Sequence, residues 1–401
     1  MSISTLSFQT TATDQMTALE QALSKTQTEL STGLQLQSAA DNPVAMSQVN
    51  ELNVQLSASQ QYVTNGNLAS TNLKLEEQAL TDATNLLQSA RDVAVEANNS
   101  SLNASDRQNL ATQLQQQLQQ LVAIANRQDS EGNYLFSGYA AGTQPFAQSG
   151  NSVSYSGAGE VSQVQISAEQ RISSGDTGSS VFMNLPAGNG TFMTAASSGN
   201  TGTASIGPGT VTNPSQWAAA SGTYTISFSS PTQYSISNSA TGAVVSSGTI
   251  SGTSGATNSI AFDGIEVTLS GAPSAADSFT VAPAGSASAF ATISGLISTL
   301  NSTTLNSAQI ATQLNQGLEQ VSGAINHLDL VQASVGARIN AVSTAQTTAQ
   351  SQQTDYQSTV SQLSNVDYAK ATTQLSTEEL ALQAAQSSYA SMMSLTLFKY
   401  I

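Results

Sequence analysis

The sequence has no cysteine, which excludes disulfides, thiol nucleophiles and thiolate metal sites. Only 8% of its 401 residues are charged, and 9 Lys and Arg face 25 Asp and Glu, so the net charge is −16. Such an acidic balance argues against binding to nucleic acid or to an anionic membrane surface. No apolar run approaches the ~18 residues of a membrane span, which predicts no membrane insertion. The stretch Met1 to Leu6 lacks a basic region followed by an apolar core, so we expect no cleaved signal peptide.

Groups suited to catalysis are also scarce. His327 is the only histidine, and its place beside Leu328 in a helical pattern indicates a solvated or boundary side chain. Asp263, Glu266 and Asp277 could pair as glycosidase carboxylates, but Asp263 is predicted in a turn and Asp277 just before a strand. Phosphate-loop, nucleophile-elbow and zinc-protease motifs are absent from the sequence. We therefore predict that the protein is not an enzyme and needs no cofactor or metal.

Long amphipathic helices are predicted at both ends of the chain. The N-terminal half indicates a helix over residues 10–32 and, after a break, a second one from Pro43 to about Ala97, with Asn42 as its cap. On the C-terminal side, helix returns near Ala289 and continues along one apolar seam. The seam consists of Leu314, Leu318, Val321, Ile325, Leu328, Val335, Ile339, Val342, Ala349, Tyr356, Val360 and Leu363. Its polar positions are Gln332, Gln346 and Gln353, which either set the helix register or contact a neighbouring subunit.

The middle of the chain changes its period from helical to alternating. Ser105 and Gln108 predict a capping box that opens a third helix, and after Gly132 the pattern indicates short strands at 134–138 and 153–157. Asp263-Gly264 predicts a two-residue hairpin turn. We expect the Gly- and Ser-rich stretch 188–214 to be loop, and the lone Trp217 to lie in a core. The β-rich insert is interpreted as a solvent-facing spacer.

Three stretches of this chain resemble the flagellin superfamily. The first is Glu29-Leu30-Ser31-Thr32-Gly33 followed by Ala40-Asp41-Asn42-Pro43-Val44-Ala45. The second, typical of the hook-associated protein 3 family, is Asp129 with Gly132-Asn133-Tyr134-Leu135-Phe136-Ser137-Gly138 and Pro145-Phe146. The third is Asp367-Tyr368-Ala369 with the ending Ser394-Leu395-Thr396-Leu397-Phe398-Lys399-Tyr400. Leu34 replaces the basic residue usual after the Ser-Thr-Gly turn, which puts a salt bridge there in doubt.

The resemblance implies a mainly α fold with a β-rich insert, flagellin-like, in which both chain ends form a long antiparallel helical rod. It divides the chain into an innermost coiled-coil domain (1–42 and 367–401), a rod domain with short hairpins (43–160 and 289–366) and an outward β domain (161–288). It also implies a ring of copies between hook-associated protein 1 and flagellin in the bacterial flagellum. Export would use the flagellar type III apparatus, with an export chaperone and without signal cleavage.

The apolar stripes of the two terminal segments form the predicted assembly interface. Because these segments are separated from the rod by breaks, we expect them to have little to pack on until neighbouring copies bury them. The interface residues are Met16, Leu19, Leu23, Leu30, Leu375, Leu382, Tyr389, Met393, Leu395, Leu397 and Phe398. The alternative is a hairpin within one chain. A flagellin-type filament subunit and a cytoplasmic coiled-coil signalling protein are the other functions considered.

Overall fold

The computed structural model describes residues 2–99, 101–219 and 222–397. Most of this chain is helical. The helices are α1 (Ser2–Thr32), α2 (Pro43–Ala97), α3 (Ala104–Ala125), α4 (Pro214–Ala219), α5 (Ala289–Leu300), α6 (Ser307–Ser364) and α7 (Tyr368–Leu397), with a π-helical turn at Ser179–Met183. The predicted helix from Pro43 to Ala97 is confirmed, and the first helix begins earlier than the sequence pattern indicated.

The strands lie between α3 and α5 and pair only in antiparallel fashion among the described residues. They are β1 (Phe146–Ser149), β2 (Ser152–Tyr155), β3 (Gln163–Gln165), β4 (Arg171–Ser173), β5 (Leu185–Pro186), β6 (Phe192–Ala196), β7 (Ser205–Ile206), β8 (Thr210–Val211), β9 (Tyr224–Ser230), β10 (Gln233–Asn238), β11 (Val244–Thr249), β12 (Thr257–Phe262), β13 (Ile265–Ser270), β14 (Ser278–Pro283) and β15 (Ser286–Ala287). One sheet has the order β11-β10-β9-β14-β6, and a second has β12-β13-β7 with β8 also on β13. Three two-stranded ribbons pair β1 with β2, β3 with β4, and β5 with β15.

The chain forms two compact units, and the larger spans residues 65–345. Its helical core collects the predicted apolar faces of α2, α3, α5 and α6, together with aromatic side chains from the ribbons. Phe136, Phe146, Phe182 and Phe290 meet there with ring centroids 5.0–5.8 Å apart. Gln332 on the seam donates to Oγ1 of Thr81 at 3.0 Å. Within this unit, that glutamine is therefore engaged by the chain's own helices.

A separate core lies inside the β region of the same unit. Trp217 is buried, as predicted, and packs against Phe192 and Tyr224 with centroids 5.4 and 6.1 Å away. The predicted hairpin turn is confirmed, because Asp263 and Gly264 join β12 to β13 with φ angles of 42° and 80°. Positive φ at both central residues is the geometry that suits the twist of a two-residue hairpin.

The smaller unit comprises the residues up to Thr64 and those from Gln346 onward. In it α1 packs along α7. Its buried apolar cluster is small: Leu36, Ala45 and Val49, with Met46, Val360 and Leu363 packed against them. The expectation that the terminal segments have little to pack on within one chain was therefore incomplete, since they pack on each other.

Side chains cap the helices where the chain breaks. The predicted restart at Asn42-Pro43 is confirmed, because Oδ1 of Asn42 accepts a hydrogen bond from the amide of Ala45 at 3.0 Å. The predicted capping box at Ser105 and Gln108 is wrong. The box uses Asn103 and Asp106 instead, whose side chains each accept from the other's backbone amide. An asparagine at the cap position served as well as the serine that the pattern favoured.

Two predictions about the middle of the chain are also wrong. The segment 134–138 forms turns, because Ser137 donates to the carbonyl of Tyr134 and the chain bends to bury Phe136. The stretch 188–214, expected to be loop, contributes β6, β7 and β8 to the sheets. Its composition is poor in strand formers, but Phe192 and Ile206 are fully buried and their packing outweighs local propensity.

Across residues 2–99, 101–219 and 222–397, no helix combines the length and hydropathy needed to cross a bilayer. The same residues hold no group of three or more His, Cys, Asp or Glu side chains placed to bind a metal ion.

Candidate assembly interface

The first and last helices run antiparallel to each other. Nε2 of Gln9 donates to the hydroxyl of Tyr389 at 3.2 Å near one end of the pair, and the amide of Val366 donates to the carbonyl of Gly33 at 2.9 Å near the other. The pairing follows from the sequence, since each segment is amphipathic and a chain break separates it from the helix beside it. The arrangement brings the two predicted stripes together in one antiparallel pair of helices.

The turn after α1 is held by a short set of backbone contacts. Gly33 adopts a φ of 73°, the left-handed conformation that ends a helix. Beyond it, the amide of Gln35 donates to the carbonyl of Ser364 at 2.8 Å, and Leu34 bridges Asn365. This fixes the point at which α1 meets the end of α6.

A salt bridge is present at this turn although Leu34 occupies the usual basic position. Nζ of Lys25 lies 2.8 Å from Asp41 and 3.9 Å from Glu29. Asp41 also accepts hydrogen bonds from the amides of Gln37 and Ser38. The cation is thus supplied by Lys25, which lies more than two helical turns before Leu34. Spacing relative to the Ser-Thr-Gly motif did not predict this residue.

The structure brings most of the predicted interface residues to this helix pair without burying them. In α1 the side chains of Met16, Leu19, Leu23 and Leu30 are half-buried. The half-buried residues of α7 are Leu375, Leu382 and Tyr389, while Met393 is 43% exposed. The side chains of Leu395 and Leu397, and the whole of Phe398, lie outside the described residues.

Burial in the pair is limited to two small side chains among those described. Thr26 is buried in α1 and Ala371 in α7, and the stripe residues surround them. Leu380, which the predicted set did not include, is 68% exposed on α7. In a pair of helices each helix covers only one side of the other, so considerable apolar surface stays in contact with water.

The polar residues considered for catalysis have structural partners. Nε2 of His327 lies 2.9 Å from the carbonyl oxygen of Ser180. Asp277 is buried just before β14, and its carboxylate accepts from the amides of Thr201 and Ser274, each at 2.8 Å. Asp277 therefore fixes the loops at the end of the sheet.

Family comparisons match both ends of the chain and its β region. Residues 3–141 match the bacterial flagellin N-terminal helical region, and 318–401 match the C-terminal helical region. Residues 195–283 match a D2-like domain of flagellar hook-associated protein 1. Flagellar hook-associated protein 3 from Legionella pneumophila is 31% identical with a TM-score of 0.73, over 79% of this chain and 98% of that one. The chain belongs to the flagellar hook-associated protein 3 family.

Other relatives agree with this membership. The flagellar junction protein of Legionella pneumophila is 31% identical with a TM-score of 0.68, over 79% of this chain and all of that one. Flagellar hook-associated protein 3 of Escherichia coli and that of Salmonella typhimurium are each 32% identical over 157 residues. This alignment covers 39% of the chain and 49% of each relative, so the chain spans about half the length of the curated relatives it matches. The predicted flagellin-like fold is confirmed.

Proposed function

We propose that this protein is a structural adaptor of the bacterial flagellum, polymerising as a junction ring between hook-associated protein 1 and the flagellin filament. Its partners would be copies of itself within the ring, hook-associated protein 1 on one side and flagellin on the other. Family membership supports the role. The observation that carries it is the α1–α7 pair, whose apolar stripes remain half-buried in a single chain.

Assembly would complete the burial that one chain leaves unfinished. Fully burying a leucine or methionine side chain stabilises the folded state by roughly 1.5–3 kcal/mol. Partial additional burial of several stripe residues would therefore give a sizeable total free energy of assembly. Neighbouring copies would contribute α1 and α7 to a shared coiled coil, with Leu19, Leu23, Leu375 and Leu382 among its seam positions. Binding would then stabilise the terminal helices, because partners bind the folded form and not the unfolded one.

The proposed domain roles follow the same logic. Residues 1–42 and 367–401 would form the innermost coiled coil, 43–160 and 289–366 the rod, and 161–288 the outer domain. We assign the outer domain the role of a spacer and propose no catalytic activity. The protein would lie outside the cell after export through the flagellar type III apparatus. A dedicated chaperone would cover the apolar terminal helices before export.

Deletion of the gene, followed by complementation, tests the adaptor role. The deletion strain should carry intact hooks, lack filaments and release flagellin into the medium, all measurable by electron microscopy and immunoblotting. Complementation with Leu19→Ser or Leu382→Ser should fail, because a hydroxyl cannot replace the apolar contact at the seam. Val244→Ser, at a 65% exposed site in β11, is the matched control and should restore filaments. Normal filaments in the deletion strain would refute the adaptor role.

A flagellin-type filament subunit is the second candidate, favoured by the matches to both flagellin terminal regions. The two functions differ in how far purified protein polymerises. A filament subunit forms long filaments by itself, whereas an adaptor adds to hook ends and stops. Electron microscopy of concentrated protein with and without isolated hooks separates them.

A further inference from the structure

A carboxyl group is buried in the unit spanning residues 65–345 with no cationic hydrogen-bond donor of its own. Glu76 of α2 is 2% exposed. The side chain and backbone of Asp176 interact with its carboxyl group, and no other described residue donates a hydrogen bond to it. Burial of an unpaired carboxylate is strongly unfavourable, so the environment of this group must favour its neutral form or supply a compensating charge.

The nearest compensating charge is already engaged by another carboxylate. The guanidinium of Arg338, on α6, forms an ion pair with Asp176 and also donates from Nη1 to the carbonyl of Gly175 at 3.1 Å. Gly175 lies against Glu76, since a Cβ on this glycine would be 3.5 Å from Oε2. Two carboxyl groups, Glu76 and Asp176, therefore share one guanidinium.

The cleft beside Glu76 has no cationic side chain among the described residues that line it. Glu76 lines a cleft of about 230 Å³, whose other described ionisable groups are Asp129 and Tyr134. Burial and the negative charge of Asp176 raise the pKa of Glu76 to about 8, and the opposing effect of Arg338 is smaller. At neutral pH Glu76 is therefore mostly protonated, and the net charge of the three-residue cluster is close to zero.

The segment that carries Asp176 is anchored more firmly beyond the cluster than within it. The amide of Gly178 donates to the carbonyl of Phe136 at 2.8 Å, and the following π-helical turn buries Val181 and Phe182. Residues 174–177 have no buried apolar side chain. The amide of Ser174 donates to the carbonyl of Ser162 at 3.0 Å, and Thr177 is buried. The contacts that depend on the cluster of charged groups are therefore those of Gly175 and Asp176.

We propose that Glu76, Asp176 and Arg338 form a proton-operated latch that docks Gly175 and Asp176 on α2 and α6. One proton held by the two carboxyl groups keeps the latch closed. Loss of that proton leaves two negative charges, the buried one of Glu76 and the half-buried one of Asp176, facing one guanidinium, and the segment opens. The apolar anchor at Val181 and Phe182 confines the opening to this segment, so the rest of the unit stays folded.

The direction of the pH effect follows from the raised pKa of Glu76. A carboxyl group that holds its proton more tightly when folded stabilises the closed form fully in acid, and this contribution falls as pH rises through about 8. The latch is therefore closed at pH 6.5 and weakened at pH 9. Because the titrating group, Glu76, is buried, added salt should shift this transition little.

Hydrogen exchange on the full-length protein tests the latch. Peptides covering 171–178 are followed by mass spectrometry at pH 6.5 and 9, with rates corrected for intrinsic chemical exchange. The wild type should lose roughly thirtyfold of its protection, because pH 6.5 lies about 1.5 units below the pKa of about 8 and each unit corresponds to a factor of ten. Glu76→Gln should lose less than about twofold on the same scale. The control Glu77→Gln removes the adjacent, less buried carboxylate and should behave like the wild type.

A second variant keeps the test decisive if Glu76→Gln folds poorly. In Asp176→Asn the guanidinium of Arg338 has only Glu76 to neutralise, so ionised Glu76 gains a partner and the segment should remain protected at pH 9. Wild-type protection that does not change between pH 6.5 and 9 overturns the latch. So does an equal loss of protection in the wild type and in either cluster variant.

Discussion

Nζ of Lys25 lies 2.8 Å from the carboxylate of Asp41, so the first helix is bonded to the turn that leads into the second. The same carboxylate accepts from the amides of Gln37 and Ser38 at 3.2 and 2.9 Å. These contacts give the 33–42 turn a fixed shape although few of its side chains are buried. The junction between terminal helix and rod helix is thus ordered by polar contacts.

Asp41→Asn should loosen this turn. The Lys25 ammonium, followed by the amides of Ser38 and Gln37, holds the pKa of Asp41 well below its usual range. A carboxyl group with a lowered pKa contributes stability at neutral pH, and that contribution is lost as pH falls through its folded-state pKa. Amide exchange at Gln37 and Ser38 should therefore quicken several-fold in the variant at pH 7. Asp14→Asn, on the exposed face of α1, is the control and should leave both amides unchanged.

The termini of a dilute monomer should be trimmed by protease before the rod. Because α1 and α7 bury only Thr26 and Ala371 among their described side chains, opening of the pair is opposed by few apolar contacts. Limited proteolysis with a broad-specificity enzyme should remove residues 1–40 and 367–401 first, while fragments containing 65–345 persist. Concentrated protein incubated with isolated hooks should be protected at the same sites. Termini as resistant as α3 in dilute monomer would contradict coupled folding and assembly.

The long helices could be predicted from sequence because their period repeats over many turns. Breaks at Gly33 and Asn42-Pro43 mark their ends through backbone conformation and capping, both of which are local. The Asp263-Gly264 hairpin was predictable for the same reason. Where tertiary packing decided the conformation, local patterns were insufficient. Burial of Phe136 turned a predicted strand into turns, and burial of Phe192 and Ile206 made strands in a Gly-rich stretch.

The candidate interface was predictable as a set of apolar positions but not in its details. Periodicity places Leu19 and Leu382 on stripes, and the structure brings those helices together. The exposed Leu380 escaped prediction because it lies off the assumed period. The Glu76 cluster had no sequence pattern, since Glu76, Asp176 and Arg338 come from three distant segments that only the fold brings together.

Gly264→Ala should destabilise the β region by about 1–3 kcal/mol, the usual cost of forcing an L-residue into a disfavoured backbone conformation. Gly264 has a φ of 80°, and an added Cβ would collide with the carbonyl oxygen of Asn213. The fluorescence of Trp217, the single tryptophan, reports unfolding of this region directly. Gly255→Ala, also at positive φ but with open space around it, separates backbone strain from collision and should cost less. Equal losses of stability in the two variants would show that the structure relieves the collision of the added Cβ with Asn213.

Glu319→Gln should make the larger unit more stable above pH 7 and leave it nearly unchanged at pH 4. Burial raises the pKa of Glu319 to about 7, because the half-buried carboxyl lies in a cleft with Asn189 and His327. A group whose folded-state pKa is raised stabilises the protein in acid, and this stabilisation is lost as pH rises from about 4.5 through 7. Chemical unfolding at several pH values should therefore give a flatter stability profile for the variant than for the wild type. The control Glu169→Gln, at an exposed position, should keep the wild-type dependence of stability on pH. A steeper dependence for Glu319→Gln would contradict the prediction, because it would mean that the Glu319 carboxylate has a favourable partner.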